Sequence, residues 1–318
     1  MRKPDKHTIA CILFAAGAAA VGLMTDDAYY LQVLIFIGIN TLLALSLNLL
    51  MGYAGQISLG HAAFYGIGAY TTAVLSATYG FSPWLALPAA IVMAMAVAYI
   101  VGRPTLRLTG YYLGMGTLGF GMIVSIVFRE WHSVTGGASG FVGIPPLEIA
   151  GFAFDTDRSY YFLVWAVVLF FFLLSRRIID SRVGRALRAI HDGEHAASAT
   201  GIDTARMKLH IFILSATMAS LAGFLYALQV YFISPETFGF MASIKIVTMV
   251  VIGGMASIWG SLFGATLLTI LPEWLHAFAD YEMMVYGLIL MLVMIFLPQG
   301  LTRGIIDLYE SSRKKHDQ

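Results

Sequence analysis

Charge is what this chain is shortest of. Between Ala28 and Gly102 there is no Asp, Glu, Lys or Arg, and further uncharged stretches cover 108–128, 159–175, 209–235, 246–272 and 283–302. Only 12% of the 318 residues are charged and 59% are hydrophobic. A soluble domain carries about a quarter of its residues as charges, so the chain reads as an integral membrane protein with no room for a separate soluble domain. Cysteine is almost missing as well. The lone Cys11 cannot form an internal disulfide and reads as a small packing residue.

The motifs of soluble chemistry are absent too. No Gly-x-x-x-x-Gly-Lys-Ser/Thr run occurs, so the chain cannot cradle nucleotide phosphates in the P-loop manner. The 8 His residues are scattered, with no His-Glu-x-x-His and no Cys pair, which argues against a metal centre. The glycines of GYYLGMGTLGFG lie in an uncharged span rather than after a Rossmann strand, and read as helix packing. A net charge of +1 carries no nucleic-acid signal, because the charges are sorted into short loops.

Where the charges do fall sets the topology. At about 20 residues per span, helices are expected near 8–24, 29–50, 62–80, 84–102, 108–128, 159–175 and 209–230, in an ambiguous 242–271, and in a last span near 282–299. This is an all-α polytopic membrane protein of about 8 to 10 transmembrane helices, residues 1–318 forming one transmembrane domain. Arg2, Lys3 and Lys6 ahead of an apolar run ending in Ala18, Ala19 and Ala20 resemble a signal peptide, but the run continues to Met24, which favours an uncleaved first span. Seven Lys and Arg residues between Arg176 and Lys208 mark that segment as cytoplasmic. The N-terminal tail, the Arg103–Arg107 turn and the basic C-terminus agree, giving cytoplasmic termini. Trp84, Trp131, Tyr160 and Tyr161 sit at span ends, as interfacial anchors do.

Two apolar regions are interrupted by glycine. One is MGYAGQISLGHAAFYGIGAY, Met51 to Tyr70; the other is IGGMASIWG, Ile252 to Gly260. Alternating spans leaves the basic C-terminus on the wrong side if 242–271 crosses once. The simplest repair makes it two arms of about 12 to 14 residues, each reaching only about 20 Å, that enter and leave from the outer side. The first interruption would then be approached from the inside and the second from the outside, as in inverted-repeat transporters. Unwound backbone is tolerated at membrane depth where it is buried in protein or lines a wet cavity. Asn48, Gly55, Gln56, Ser58, His61, Gly253 and Gly254 are therefore candidate lining of a polar path, while Asn40 and Ser46 read as interhelical hydrogen-bonding residues. Lys245 reads as a side chain snorkelling to the outer interface.

The most distinctive polar stretch is SRVGRALRAIHDGEHAASATGIDTARMKL. Val183, Ala186, Leu187 and Ile190 form an apolar stripe at helical spacing, with Arg182, Arg185 and Arg188 facing elsewhere. Such a helix either lies on anionic lipid or docks its stripe into a groove on a soluble partner.

This stretch resembles the coupling loop of ABC importer permeases, whose Glu-x-Ala-Ala-x-x-x-Gly signature falls here on Glu194, Ala196, Ala197 and Gly201. LNLLMGYAGQISLGHAAFYGIGAY, GYYLGMGTLGFGMIV, TGGASGFVGIP, SPETFGF and VIGGMASIWGSLFGATLLTILPE, in that order, resemble LivM-type permeases of the branched-chain amino acid ABC transporter family over about residues 29–303. The resemblance implies a non-enzymatic subunit of the bacterial inner membrane carrying Leu, Ile or Val. It implies a LivH-type second permease, two cytoplasmic ATP-binding subunits holding ATP and Mg, and an extracytoplasmic binding protein, with no cofactor in this chain. It also implies that 176–208 is the coupling loop, with Gly184, Arg185, Arg188, Glu194, Ala197 and Gly201 serving the ATPase contact. Gly193 and His195 depart from the pattern, where Asn or Ser and an aliphatic residue are commoner. The family extends to urea and short-amide permeases, and no residue here separates those cargoes. An ion-coupled secondary transporter or channel is the reading of another class, but such proteins keep acidic groups within the membrane, and the uncharged stretches offer none.

Overall fold

The computed structural model describes residues 6–149, 152–154 and 156–275, with Met284, Gly287, Leu288 and Met291 beyond them. The expected span at 282–299, the basic tail and the side chain of Cys11 fall outside that set. Twelve α-helices are described: α1 (Lys6–Met24), α2 (Ala28–Asn48), α3 (His61–Ala73), α4 (Pro83–Thr105), α5 (Tyr111–Glu130), α6 (His132–Thr135), α7 (Asp157–Asp180), α8 (Arg182–Asp192), α9 (Glu194–Ala199), α10 (Thr204–Val230), α11 (Phe240–Gly253) and α12 (Ile258–Leu275). Two wider π-type turns, Leu49–Tyr53 and Val74–Thr78, extend α2 and α3.

Local chemistry sets the helix starts. Asp27 accepts from the backbone N–H of Tyr29, Ser181 from Val183 and Asp203 from Arg206, each side chain satisfying a donor that the first helical turn leaves open. Pro83 opens α4 behind Ser82, where its missing N–H is harmless.

Five helices are long and apolar enough to cross a membrane among the described residues: Ala28–Tyr53, Pro83–Thr105, Tyr111–Glu130, Asp157–Asp180 and Thr204–Val230. They divide into a centre and a rim. Of the apolar window, 78% is buried in α2 and α10 but only 22% in α5 and 28% in α4 and α7. Rim helices turn one face inward and the other to lipid or a partner. On α4 the inward stripe is Ala86, Ala90, Ala94 and Ala98, all fully buried, and small residues are what let membrane helices approach closely. Between α3 and α10 a Cβ on Gly68 would strike the Ser220 backbone, and one on Gly223 would strike Tyr65 and Ala69. The Ser220 hydroxyl donates to Ala90 O at 3.0 Å, joining α4 to the same contact. Tyr160 and Tyr161, expected as interfacial anchors, are instead buried, their hydroxyls donating to Leu225 O at 2.5 Å and Ala18 O at 2.7 Å. Trp84 and Trp131 are exposed as expected.

At one end of the bundle two short ladders fasten the loops, Phe141–Val142 against Phe232–Ile233 and Glu148–Ile149 against Phe152–Ala153. Arg158 at the start of α7 pairs there with Asp26 at 2.5 Å. The chain from Pro235 to Phe238 then turns inward, and Phe238 packs with Tyr65, Tyr70, Phe128 and Tyr226. At the other end lie α8, α9 and the C-terminus of α7.

The second interruption is present, since the helix stops at Gly253 and resumes at Ile258. Its position differs from the expectation. Arms of 14 and 18 residues reach about 21 and 27 Å, so the tip reaches the α8 end rather than stopping at mid-depth. There Ala256 to Trp259 share a cavity with Arg176 and Asp180 of α7. A Cβ on Gly52, in the first interruption, would strike the Ala256 backbone. Both arms of the second interruption come from the ladder end, as expected, with Glu273 of α12 bonded to Tyr29 at the start of α2. They run the full depth of the bundle, however, so the two interruptions meet at the α8 end instead of being set at opposed depths.

Candidate functional site

The meeting point is organised by one side chain. Asn48, fully buried at the end of α2, accepts from Ala256 N–H at 2.9 Å through Oδ1. Its Nδ2 donates to Ser257 O at 2.7 Å and Ser261 Oγ at 2.9 Å. The carboxamide thus gives Ala256 N–H its acceptor and adds a second donor to Ser257 O, which also accepts from Ser261 N–H at 3.3 Å, each bond contributing about 1 kcal/mol net. Ala256 holds φ 57° and Gly254 φ 113° to make the turn. Gly253 and Gly260 bring α11 and α12 into backbone contact.

The first interruption is held differently. Gly55 turns the chain with φ 67° against His191 of α8. The chain then dives back so that Gly60 lies on Thr117 and Gly121 of α5, with Leu59 N–H donating to Thr117 Oγ1 at 3.0 Å. The glycines read as packing in GYYLGMGTLGFG include this Gly121, and Gly114 meets Ile57. At the start of α3, Ala62 N–H donates to Ser243 Oγ at 3.1 Å, and His61 Nε2 lies 2.7 Å from Ser46 Oγ. Ser215 Oγ donates to Ser46 O at 2.7 Å. Asn40 Nδ2 donates to Thr269 Oγ1 at 2.9 Å, so Asn40 and Ser46 act between helices.

Gln56, Ser58 and His61 are buried, with Gln56 Oε1 and Ser58 Oγ making no hydrogen bond. Buried polar atoms without partners are uncommon in native structures. Two cavities lie elsewhere: one of about 230 Å³ lined by Tyr53, Arg176, Asp180 and the Ala256–Trp259 turn, the other of about 170 Å³ between α1 and α7. Gly253 and Gly254 serve the helix pair and its turn. Lys245, expected at the outer interface, follows Ser243 by two residues and so stands near the level of Ala62 and the first interruption, on the exposed side of α11.

The basic segment folds as the pair α8 and α9 against the same end. Its apolar stripe is turned inward, contrary to the expected docking into a partner: Leu187, Ile190 and Gly184 are buried on the chain's own spans, and only Val183 of that stripe is exposed. A Cβ on Gly184 would strike the Ile179 backbone, and Arg188 Nη2 donates to Ile179 O at 3.1 Å, so α8 is riveted to the last turn of α7. Ala197 is buried, whereas Arg185 and Gly201 (φ 86°) are exposed. Glu194, at the first position of α9, pairs with Lys208 Nζ at 2.5 Å. What faces outward is a surface of Arg182, Arg185, His191, His195 and small residues. Among the described residues no His, Cys, Asp and Glu cluster could hold a metal ion.

Residues 29–294 match the family model described as "Branched-chain amino acid transport system / permease component". The chain belongs to this permease family. Among the permease's relatives, the high-affinity branched-chain amino acid transport system permease protein LivM of Escherichia coli K12 is 37% identical over 286 residues, covering 83% of this chain and 67% of the relative. LivH of the same organism is 29% identical over 302 residues, covering 87% and 97%. The probable branched-chain amino acid transport permease protein LivM of Methanocaldococcus jannaschii is 23% identical, covering 85% and 92%. No solved structure matches the permease.

The sequence reading missed Ser257 and Ser261, the partners of Asn48, and Lys208 as more than a topological charge. Lys208 did carry a signal, being a cation one turn inside an apolar helix.

Proposed function

We propose that the permease is one of two membrane-spanning subunits of an ATP-binding-cassette importer that moves Leu, Ile or Val across the bacterial inner membrane. It pairs with a LivH-type permease and receives cargo from an extracytoplasmic binding protein. Two cytoplasmic subunits bind and hydrolyse ATP with Mg. Residues 1–318 act as one transmembrane domain with 176–208 as its coupling loop, and both termini lie in the cytoplasm. The observation that carries this reading is the 37% identity to a LivM permease over 83% of the chain.

The geometry supports it. The permease has no phosphate-binding loop of its own, and the α8–α9 lever sits directly beneath both interruptions, with Gly55 against His191. A push on the lever therefore reaches the places where the spans are already broken and bend most easily. A zwitterionic cargo needs acceptors for its ammonium and donors for its carboxylate. Gln56 Oε1 and Ser58 Oγ hold unused acceptor capacity beside the start of α3, where a helix N-terminus favours negative charge.

The test is uptake of labelled leucine by proteoliposomes containing the four kinds of subunit. ATP-dependent accumulation that requires the binding protein is expected. Uptake by this chain alone under a proton or sodium gradient, or transport of urea in place of leucine, would displace the reading.

A further inference from the structure

Lys208 is the one Lys, Arg, Asp or Glu among the described residues that is buried, at 4% exposure. Its ammonium touches three elements. It pairs with Glu194 Oε1 of α9 at 2.5 Å, it is carried by α10, and it donates to Leu106 O at 3.5 Å, at the C-terminal end of α4. That end is where the helix dipole places negative charge. α10 and α4 are joined along their length by the Ser220–Ala90 hydrogen bond and by Leu209 and Phe212 on Gly102. α8 is fixed mainly to α7 through Arg188, Gly184 and Ile179 and packs also on α10 and on the Leu49–Tyr53 turn, so Lys208 is the lever's charged tie to the spans beside these packing contacts.

We propose that Lys208 is the positioning residue that ties the coupling helix α9 to the transport spans α10 and α4, and that the Glu194 carboxylate faces inward to Lys208 rather than outward to the ATPase. The proposal rests on the importer reading. A displacement of α9 moves the ammonium, and the ammonium moves two spans at once. The outward surface around Arg182, Arg185 and His195 is left to meet the ATP-binding subunit.

A buried ion pair can often be replaced by well-packed apolar residues without loss of stability, whereas removing one partner leaves an unmatched charge. The variant Lys208→Met/Glu194→Met therefore separates transmission from support. It is assembled with the complete importer in proteoliposomes, and leucine transported per ATP hydrolysed is measured beside ATPase co-purification. Normal co-purification and basal hydrolysis are expected, with transport per ATP lower by about tenfold. Lys208→Arg, which keeps the cation, retains most of the ratio. An unchanged ratio in the double variant would overturn the proposal, as would loss of ATPase binding in Glu194→Gln but not in Lys208→Met, which would put Glu194 on the ATPase. If the double variant failed to assemble, the neutral pair Lys208→Gln/Glu194→Gln, which leaves no unmatched charge, is read by the same ratio, a drop with normal ATPase co-purification supporting the tie and no change refuting it. The wild-type arm answers separately for the importer reading: absence of ATP-driven leucine uptake there counts against that reading and not against the Lys208 tie.

Discussion

The two interruptions lie against each other yet are stabilised in opposite ways. Between Ala54 and Gly60 the backbone is open for a whole loop, is fixed by glycines pressed on other helices, and leaves Gln56 Oε1 and Ser58 Oγ without partners. Between Gly254 and Ser257 the break is short, and Asn48 meets its Ala256 N–H and Ser257 O. A loop that leaves two buried side-chain oxygens unpaired while its backbone is partly bonded is suited to meeting a solute. A turn pinned by a buried carboxamide is suited to acting as a fixed joint.

Four substitutions sharpen that contrast, and thermal unfolding of the purified protein in detergent measures the stability part of each. Gly253→Val should be the most damaging, because a side chain at the backbone contact with Gly260 forces α11 from α12; a loss of about 3 kcal/mol or more is expected. Asn48→Leu removes three hydrogen bonds and strands Ala256 N–H, while Ser257 O keeps its bond from Ser261 N–H, and should lose about 2 kcal/mol. A third change runs the other way. Ala256→Gly relieves a φ of 57° and should gain about 1 kcal/mol. Ser58→Ala deletes an atom with no partner, so its stability should shift by less than about 0.5 kcal/mol while transport falls. If Ser58→Ala destabilised as much as Asn48→Leu, the contrast between an open loop and a fixed joint would be lost.

The spans were legible because uncharged runs and the placement of Lys and Arg are local signals. Both interruptions were legible for the same reason, as glycines clustered with polar residues inside an uncharged run mark a break rather than helix packing alone. The direction of the second one was legible from the charge pattern, but how deep its tip reaches was not. Its depth depends on α12 being 18 residues long and on Asn48 reaching Ser261, 213 positions away, and no local pattern encodes a partner at that distance. Tyr160 and Tyr161 misled because a tyrosine at a span end reads alike whether its hydroxyl meets water or a carbonyl of a neighbouring helix. The stripe of Leu187 and Ile190 was visible as a stripe, but amphipathic spacing does not say whether the surface it covers belongs to the same chain.

That both interruptions open at the lever end is the claim on which the proposed coupling turns, and side-specific labelling tests it. Single cysteines replace Gly55, Met255 and, as a lever marker, the exposed Ser198, each in a chain lacking Cys11 and without ATPase subunits. A membrane-impermeant maleimide is then applied to right-side-out and inside-out vesicles. All three positions should label only from the inside. Labelling of position 255 from the outside, while 55 and 198 label from the inside, would contradict the account.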